Sequence, residues 1–228
     1  MRNGPQLKVM GKAEVESVAE SELMSFPNIE VVNQIRSGHP VADADFDRIF
    51  PEEIRSLSKI HWTPISVARR AAELAVRKPG DLVLDVGSGV GKFCIIGALT
   101  TAGKFHGVEQ REYLVDSGRK VVARFGLSKV QLIHKNMVDL DWLPFDAIYL
   151  FNPFFENIEK SIRIDDQCAL SSDLFVTYVR QTQSKLDDLN VGVRIVTFNG
   201  FGGDFPPSYR LIHEEKHRFI SLQVWEKY

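Results

Sequence analysis

Cysteine is scarce: Cys94 and Cys168 are the only two in 228 residues. Neither a disulfide framework nor a cysteine-based zinc site is expected. His213 and His217 stand four apart, but they flank a predicted hairpin turn, so no metal site is expected from them either. Long apolar runs are missing as well, which excludes a membrane-spanning helix. The opening MRNGPQLKVMGKAEVE has no apolar signal core, so a cytoplasmic chain without a membrane partner is expected. A surplus of one charge is also lacking. The formal net charge is −2, which argues against a dedicated polyanion binder. No repeat or low-complexity tract is visible.

What the chain does have is VLDVGSGVGKFCII, Val83 to Ile96. A short β-rich apolar run ends at Asp85, as a buried parallel strand would. Gly87, Gly89 and Gly91 follow at every second position, where a backbone without Cβ can turn tightly and bring its N–H groups against a ligand. A helix then begins and directs its positive end at the same place. A P-loop needs glycine where Val86 stands and Ser or Thr where Phe93 stands. The dinucleotide fingerprint G-x-G-x-x-G needs glycine at position 92, which is Lys92. The pattern D-x-G-x-G-x-G fits without a gap. Glu109 in KFHGVEQ ends the next strand at the spacing of a ribose-binding acid, about 20 residues further on.

Around this motif the chain reads as alternating strands and helices. Residues 1–24 read as a frayed or partly helical arm, and Phe50–Ile60 as one short helix. Thr63-Pro64 reads as a hydroxyl cap and first-turn proline, opening a helix to about Lys78 whose buried face is Ile65, Ala68, Ala72 and Ala75. Strands are expected at about 81–86, 104–109, 130–136, 145–152 and 191–199, with helices at about 91–102, 111–125 and 171–189. Lys92 is expected to face solvent. The last two β-like runs are joined by a short polar turn, which suits an antiparallel hairpin.

The motif D-x-G-x-G-x-G with Glu109 resembles motif I and the ribose acid of the class I S-adenosylmethionine (AdoMet) methyltransferases. That resemblance covers residues 61–228 and implies an α/β, Rossmann-like, seven-stranded and mostly parallel sheet. Its strand order is 3-2-1-4-5-7-6, with helices on both faces and a C-terminal antiparallel hairpin. Residues 1–60 would form a helical or irregular cap. The resemblance implies AdoMet as cofactor, held by Asp85, Gly87, Ser88, Gly89 and Gly91, with Glu109 on the ribose and Gln110, Asn136 and Met137 around the adenine.

Asn152-Pro153-Phe154-Phe155 resembles the (N/D/S)-P-P-(Y/F/W) box of amino-group methyltransferases, with Phe154 in place of the second proline. It implies catalytic roles for Asn152, Pro153 and Phe155. DVGSGVGK with GVEQ is also similar to histone-lysine methyltransferases that lack a SET domain. The expected reaction is in-line N-methylation. The acceptor is expected to be a protein or small molecule before nucleic acid. Phe154, Phe155 and Trp62 are candidates to face the sulfonium, and His61 or Glu156 to act as a base. The alternatives are an NAD(P)-dependent oxidoreductase and an inactive methyltransferase-like binding module.

Overall fold

A computed structural model describes residues 26–217 and 220–228; the arm expected over 1–24 lies outside them. An N-terminal segment carries α1 (Phe26–Arg36), α2 (Asp43–Phe46), α3 (Glu52–Arg55) and α4 (Ser58–His61). The alternating part follows as α5 (Ile65–Ala75), β1 (Leu82–Val86), α6 (Lys92–Thr100), β2 (Lys104–Glu109), α7 (Glu112–Arg124), β3 (Val130–His134) and β4 (Ala147–Leu150). It ends with α8 (Ser172–Asp188), β5 (Arg194–Phe198), β6 (Tyr209–His217) and β7 (Ile220–Lys227).

The strands form one sheet in the order β3-β2-β1-β4-β5-β7-β6. The first five are parallel, and β7 runs antiparallel to β5 and β6. This is the order that the resemblance implied and the terminal hairpin that the short polar turn suggested. Side chains alternate across the sheet as the two-residue strand period requires. Val83 of β1 belongs to the cluster that contains the buried faces of α5, α6 and α7, and neighbouring Leu84 belongs to the opposite cluster under α8. The switch in strand order lies between β1 and β4, where an open α/β sheet leaves a crevice beyond the strand ends.

Three expectations near the N-terminus need correction. The single helix expected over Phe50–Ile60 is two short ones, α3 and α4, because Ser58 turns inward to hydrogen-bond the buried Asp47 carboxylate. Thr63 does not cap α5. Its hydroxyl is buried 2.8 Å from the Tyr149 hydroxyl, and the Ile65 amide is capped instead by Asp43 Oδ1 at 2.9 Å. Lys92 does not face solvent: only 2% of its side chain is exposed, and its ammonium lies 2.6 Å from Asp43 and 2.8 Å from Asp47. A buried cation needs such partners. The residues that satisfy it come from the N-terminal segment, whose Val32, Ile35, Phe46, Ile49, Phe50 and Ile54 share one apolar cluster with α5 and α6. Lys92 thus fastens that segment to the helix that follows the glycine turn.

Candidate functional site

A cavity of about 270 Å³ opens beyond the carboxyl ends of the strands. Its floor is Val86, Gly87 and Gly89 at the end of β1, with Glu109 and Gln110 at the end of β2 and Asn136 and Met137 after β3. Asn152, Pro153 and Phe155 after β4 form the other side, and Ile60, His61 and Trp62 close it from the N-terminal segment. Most of the residues expected in the site therefore meet in one place. Asp85, Ser88 and Gly91 do not line the cavity.

The glycine turn is built for approach rather than for donating hydrogen bonds. Gly87 and Gly89 have φ of +74° and +55°, a region that side chains disfavour. A Cβ at Gly87 would lie 3.0 Å from Pro153, and one at Gly89 3.2 Å from the Trp62 indole nitrogen. The expectation that the turn's amides await a ligand is corrected for three of them. The amides of Gly87 and Ser88 both donate to the Val108 carbonyl, at 2.9 and 3.0 Å, and that of Gly89 donates to Glu109 Oε2 at 3.2 Å.

Asp85 is fully buried on the α6 side of the sheet. The Cys94 thiol donates to its Oδ2 across 3.7 Å. Burial pushes its pKa up to about 8; the Cys94 hydrogen bond opposes the shift and Glu109 adds to it. Asp85 is therefore largely protonated at neutral pH. Glu109 is 6% exposed. Burial raises its pKa too, against the amides of Arg111 and Gly89 and the Arg111 charge, which favour the carboxylate. Two amide donors leave a carboxylate with free lone pairs, as ribose hydroxyls need.

Asn136 is partly engaged within the protein. Its Oδ1 accepts from the Val138 amide at 3.1 Å and its Nδ2 donates to the Tyr178 hydroxyl at 3.0 Å. Tyr178 in turn stacks on Phe154, with ring centroids 5.3 Å apart. That contact makes Phe154 a core residue and explains why a ring stands where the box has a second proline. Phe155, at 37% exposure, presents its ring at the cavity. Asn152 holds φ of +42°, a strained value for a residue with a side chain. Its amide donates to the Gly200 carbonyl at 2.9 Å, which ties β4 to β5. Asn199, at the end of β5, also lines the cavity with φ of +65°.

Two polar features were not legible in the sequence. The Trp62 indole N–H is buried without a partner among the described residues and lies against Gly89. Arg111 is 4% exposed and joins Glu109 to the loop after β4. His61 lines the cavity with a lowered pKa, chiefly from burial, so its imidazole is neutral at pH 7. Glu156 opposes that shift and Arg111 adds to it. Among the described residues, no group of three or more His, Cys, Asp or Glu side chains is placed to hold a metal ion. No described helix is long and apolar enough to cross a membrane.

The sheet order, with β7 antiparallel and a cavity at the β1/β4 switch, decides the architecture. The chain has the class I methyltransferase fold. Neither a protein-family model nor a curated protein matches the sequence. Solved structures do. An RNA methyltransferase from Salinibacter ruber, solved with S-adenosyl-L-homocysteine, is similar at a TM-score of 0.54 and 20% identity, over 73% of this chain and 93% of that one. TrmN from Thermus thermophilus reaches 0.56 at 19% identity, over 77% of this chain and 52% of that one. A SAM-dependent methyltransferase from Aquifex aeolicus reaches 0.50 at 14% identity, over 76% of this chain and 97% of that one. The expected preference for a protein or small-molecule acceptor over nucleic acid does not stand, because an RNA methyltransferase is among the structures that share this methyltransferase fold. Neither of the narrower resemblances, to the SET-lacking histone-lysine enzymes or to the Asn-Pro-Pro-Tyr box, is borne out by these matches.

Proposed function

We propose that this chain is an AdoMet-dependent methyltransferase acting on a nitrogen of RNA. The observation that carries the reading is one cavity with Glu109 and the glycine turn on one side and Asn152-Pro153 on the other. The protein's residues fit the cofactor. Glu109 has lone pairs for two hydroxyls. The unpartnered Trp62 N–H beside Gly89 suits a polar group of the amino-acid part. Gln110 and Met137 border the place of the adenine. The surplus of carboxylates around Arg111 suits a cationic ligand. The RNA methyltransferase from Salinibacter ruber supports RNA as the acceptor class.

When bound, AdoMet supplies an already activated methyl group. The protein's own task is to hold the acceptor in line and exclude water. Asn152 accepts a hydrogen bond from the acceptor N–H through its side-chain oxygen, which aims the nitrogen lone pair at the methyl group. The Phe155 ring packs on the planar base. Neutral His61 is able to take the proton released as the nitrogen is methylated. The N-terminal segment, through Ile60 to Trp62, acts as a cap on this side of the cavity.

The test has two parts. Isothermal titration with AdoMet, S-adenosylhomocysteine (AdoHcy) and NADH should show binding of the first two only; NADH binding alone would move the reading to hydride transfer. Incubation with methyl-tritiated AdoMet and total cellular RNA should then yield label that ribonuclease releases. Label resistant to ribonuclease, or none with AdoMet bound, would remove RNA as the acceptor.

A further inference from the structure

Arg111 stands immediately before α7 and is almost fully buried. Its amide donates to Glu109 Oε1 at 2.9 Å, and its Nη1 lies 3.9 Å from the same oxygen. The two Nη atoms fork onto the Glu156 carboxylate at 2.9 and 3.3 Å, and Nε donates to Asp165 Oδ2 at 3.1 Å. Both carboxylates belong to the loop between β4 and α8, and both also organise its backbone. Glu156 Oε2 accepts from the Ile164 amide and Asp165 Oδ1 from the Gln167 amide, each at 2.9 Å. The Tyr113 hydroxyl, on α7, donates to Asp165 at 2.8 Å.

This loop covers the cavity with Ile162, Ile164 and Leu170. It has no strand and no α-helix, only the single 3₁₀ turns Phe155–Asn157 and Lys160–Ile162. Its hold on the sheet therefore depends strongly on one planar cation with two occupied edges. A lysine could not reproduce that fork. Without the cation, Glu156 and Asp165 would face each other and Glu109 as like charges in a half-buried place.

We propose that Arg111 is a positioning residue that couples the cofactor half of the site to the acceptor half. The proposal rests on the cofactor reading above. Arg111 shares the Glu109 carboxylate with the ribose hydroxyls. A ligand on Glu109 and a loop latched by Glu156 and Asp165 therefore stabilise one and the same arrangement. By linkage the effect is reciprocal: cofactor tightens the loop and the latched loop slows cofactor escape.

The test is amide hydrogen exchange on the full chain with and without AdoHcy, together with AdoHcy titration. In the wild type, AdoHcy should slow exchange over residues 158–167 by about tenfold or more. In Arg111→Met the same amides should exchange fast and ignore AdoHcy, while β1 and β4 stay protected. AdoHcy affinity should fall by about tenfold. Arg111→Lys, which keeps the charge and loses the fork, should lie between the two. Glu156→Gln/Asp165→Asn, which leaves Arg111 in place, should reproduce the loss of AdoHcy-dependent protection and covers the case in which Arg111→Met fails to fold. Wild-type exchange over 158–167 in the Lys variant and in the double variant overturns the proposal. Absence of AdoHcy binding in the wild type sinks the cofactor reading instead. The difference between wild type and variants in ligand-free exchange still reports the latch in that case.

Discussion

The two sides of the cavity are built by different means. The cofactor side comes from strand ends: Val86 and Glu109 close β1 and β2, Asn136 follows β3, and the turn after β1 is fastened by backbone bonds to Val108. The acceptor side comes from the end of the one-turn helix α4 with Trp62 after it, and from the loop after β4. Buried ion clusters at Lys92 and Arg111 hold them. A strand end is placed by the whole sheet and tolerates the loss of one contact. A loop held by one buried cation does not. The comparison teaches where this molecule is rigid by construction and where it is rigid by charge pairing.

The sharpest way to break the comparison is at Lys92. Lys92→Met leaves Asp47 buried and unpaired and should cost about 3 kcal/mol in denaturant unfolding. Asp43→Asn/Asp47→Asn in the same background should restore much of it. A variant as stable as the wild type would show that the N-terminal segment is not fastened by this cluster.

A second pair of substitutions should separate the two sides. Glu109→Gln is expected to weaken AdoHcy binding about 10- to 100-fold, the worth of charge-assisted hydrogen bonds. Asn152→Gly, which keeps the positive φ, is expected to leave AdoHcy affinity unchanged and to lower turnover about 100-fold. Equal effects of Asn152→Gly on affinity and turnover would mean that the cavity does not divide in this way.

A pH effect is expected at Asp85, beneath the cofactor side. Its carboxyl titrates near 8 in the folded chain and near about 3.9 when unfolded. Between those values the folded state holds a proton that the unfolded state has lost, so stability falls as pH rises through the window. The slope is at most about 1.4 kcal/mol per pH unit. Asp85→Asn should flatten the stability profile between about pH 5 and pH 8 relative to wild type. Profiles that stay parallel would mean that Asp85 is ionised in the fold.

Local chemistry decided what was legible beforehand. The glycine turn, the acid at the end of β2 and the terminal hairpin are written in short contiguous patterns, and the resemblance those patterns carry to the class I methyltransferases implied the sheet order and the cofactor side. Lys92 misled because its position on a first helical turn says solvent, whereas its partners lie some forty to fifty residues upstream. Thr63 misled for the same reason: a hydroxyl before proline is a good cap locally, but Tyr149 of β4 competes for it. Arg111 carries no motif, and its partners Glu156 and Asp165 reach it only through the return of the chain after β4.

By itself, the sequence determined the alternating strands and helices, the tight turn after β1 and the chemistry available at each strand end, because those depend on residues near one another in the chain. Only the tertiary structure decided which amides are already spent, which charges are buried and which carboxylates share a cation. Those depend on burial and on distances between segments far apart in sequence, and no local pattern encodes either.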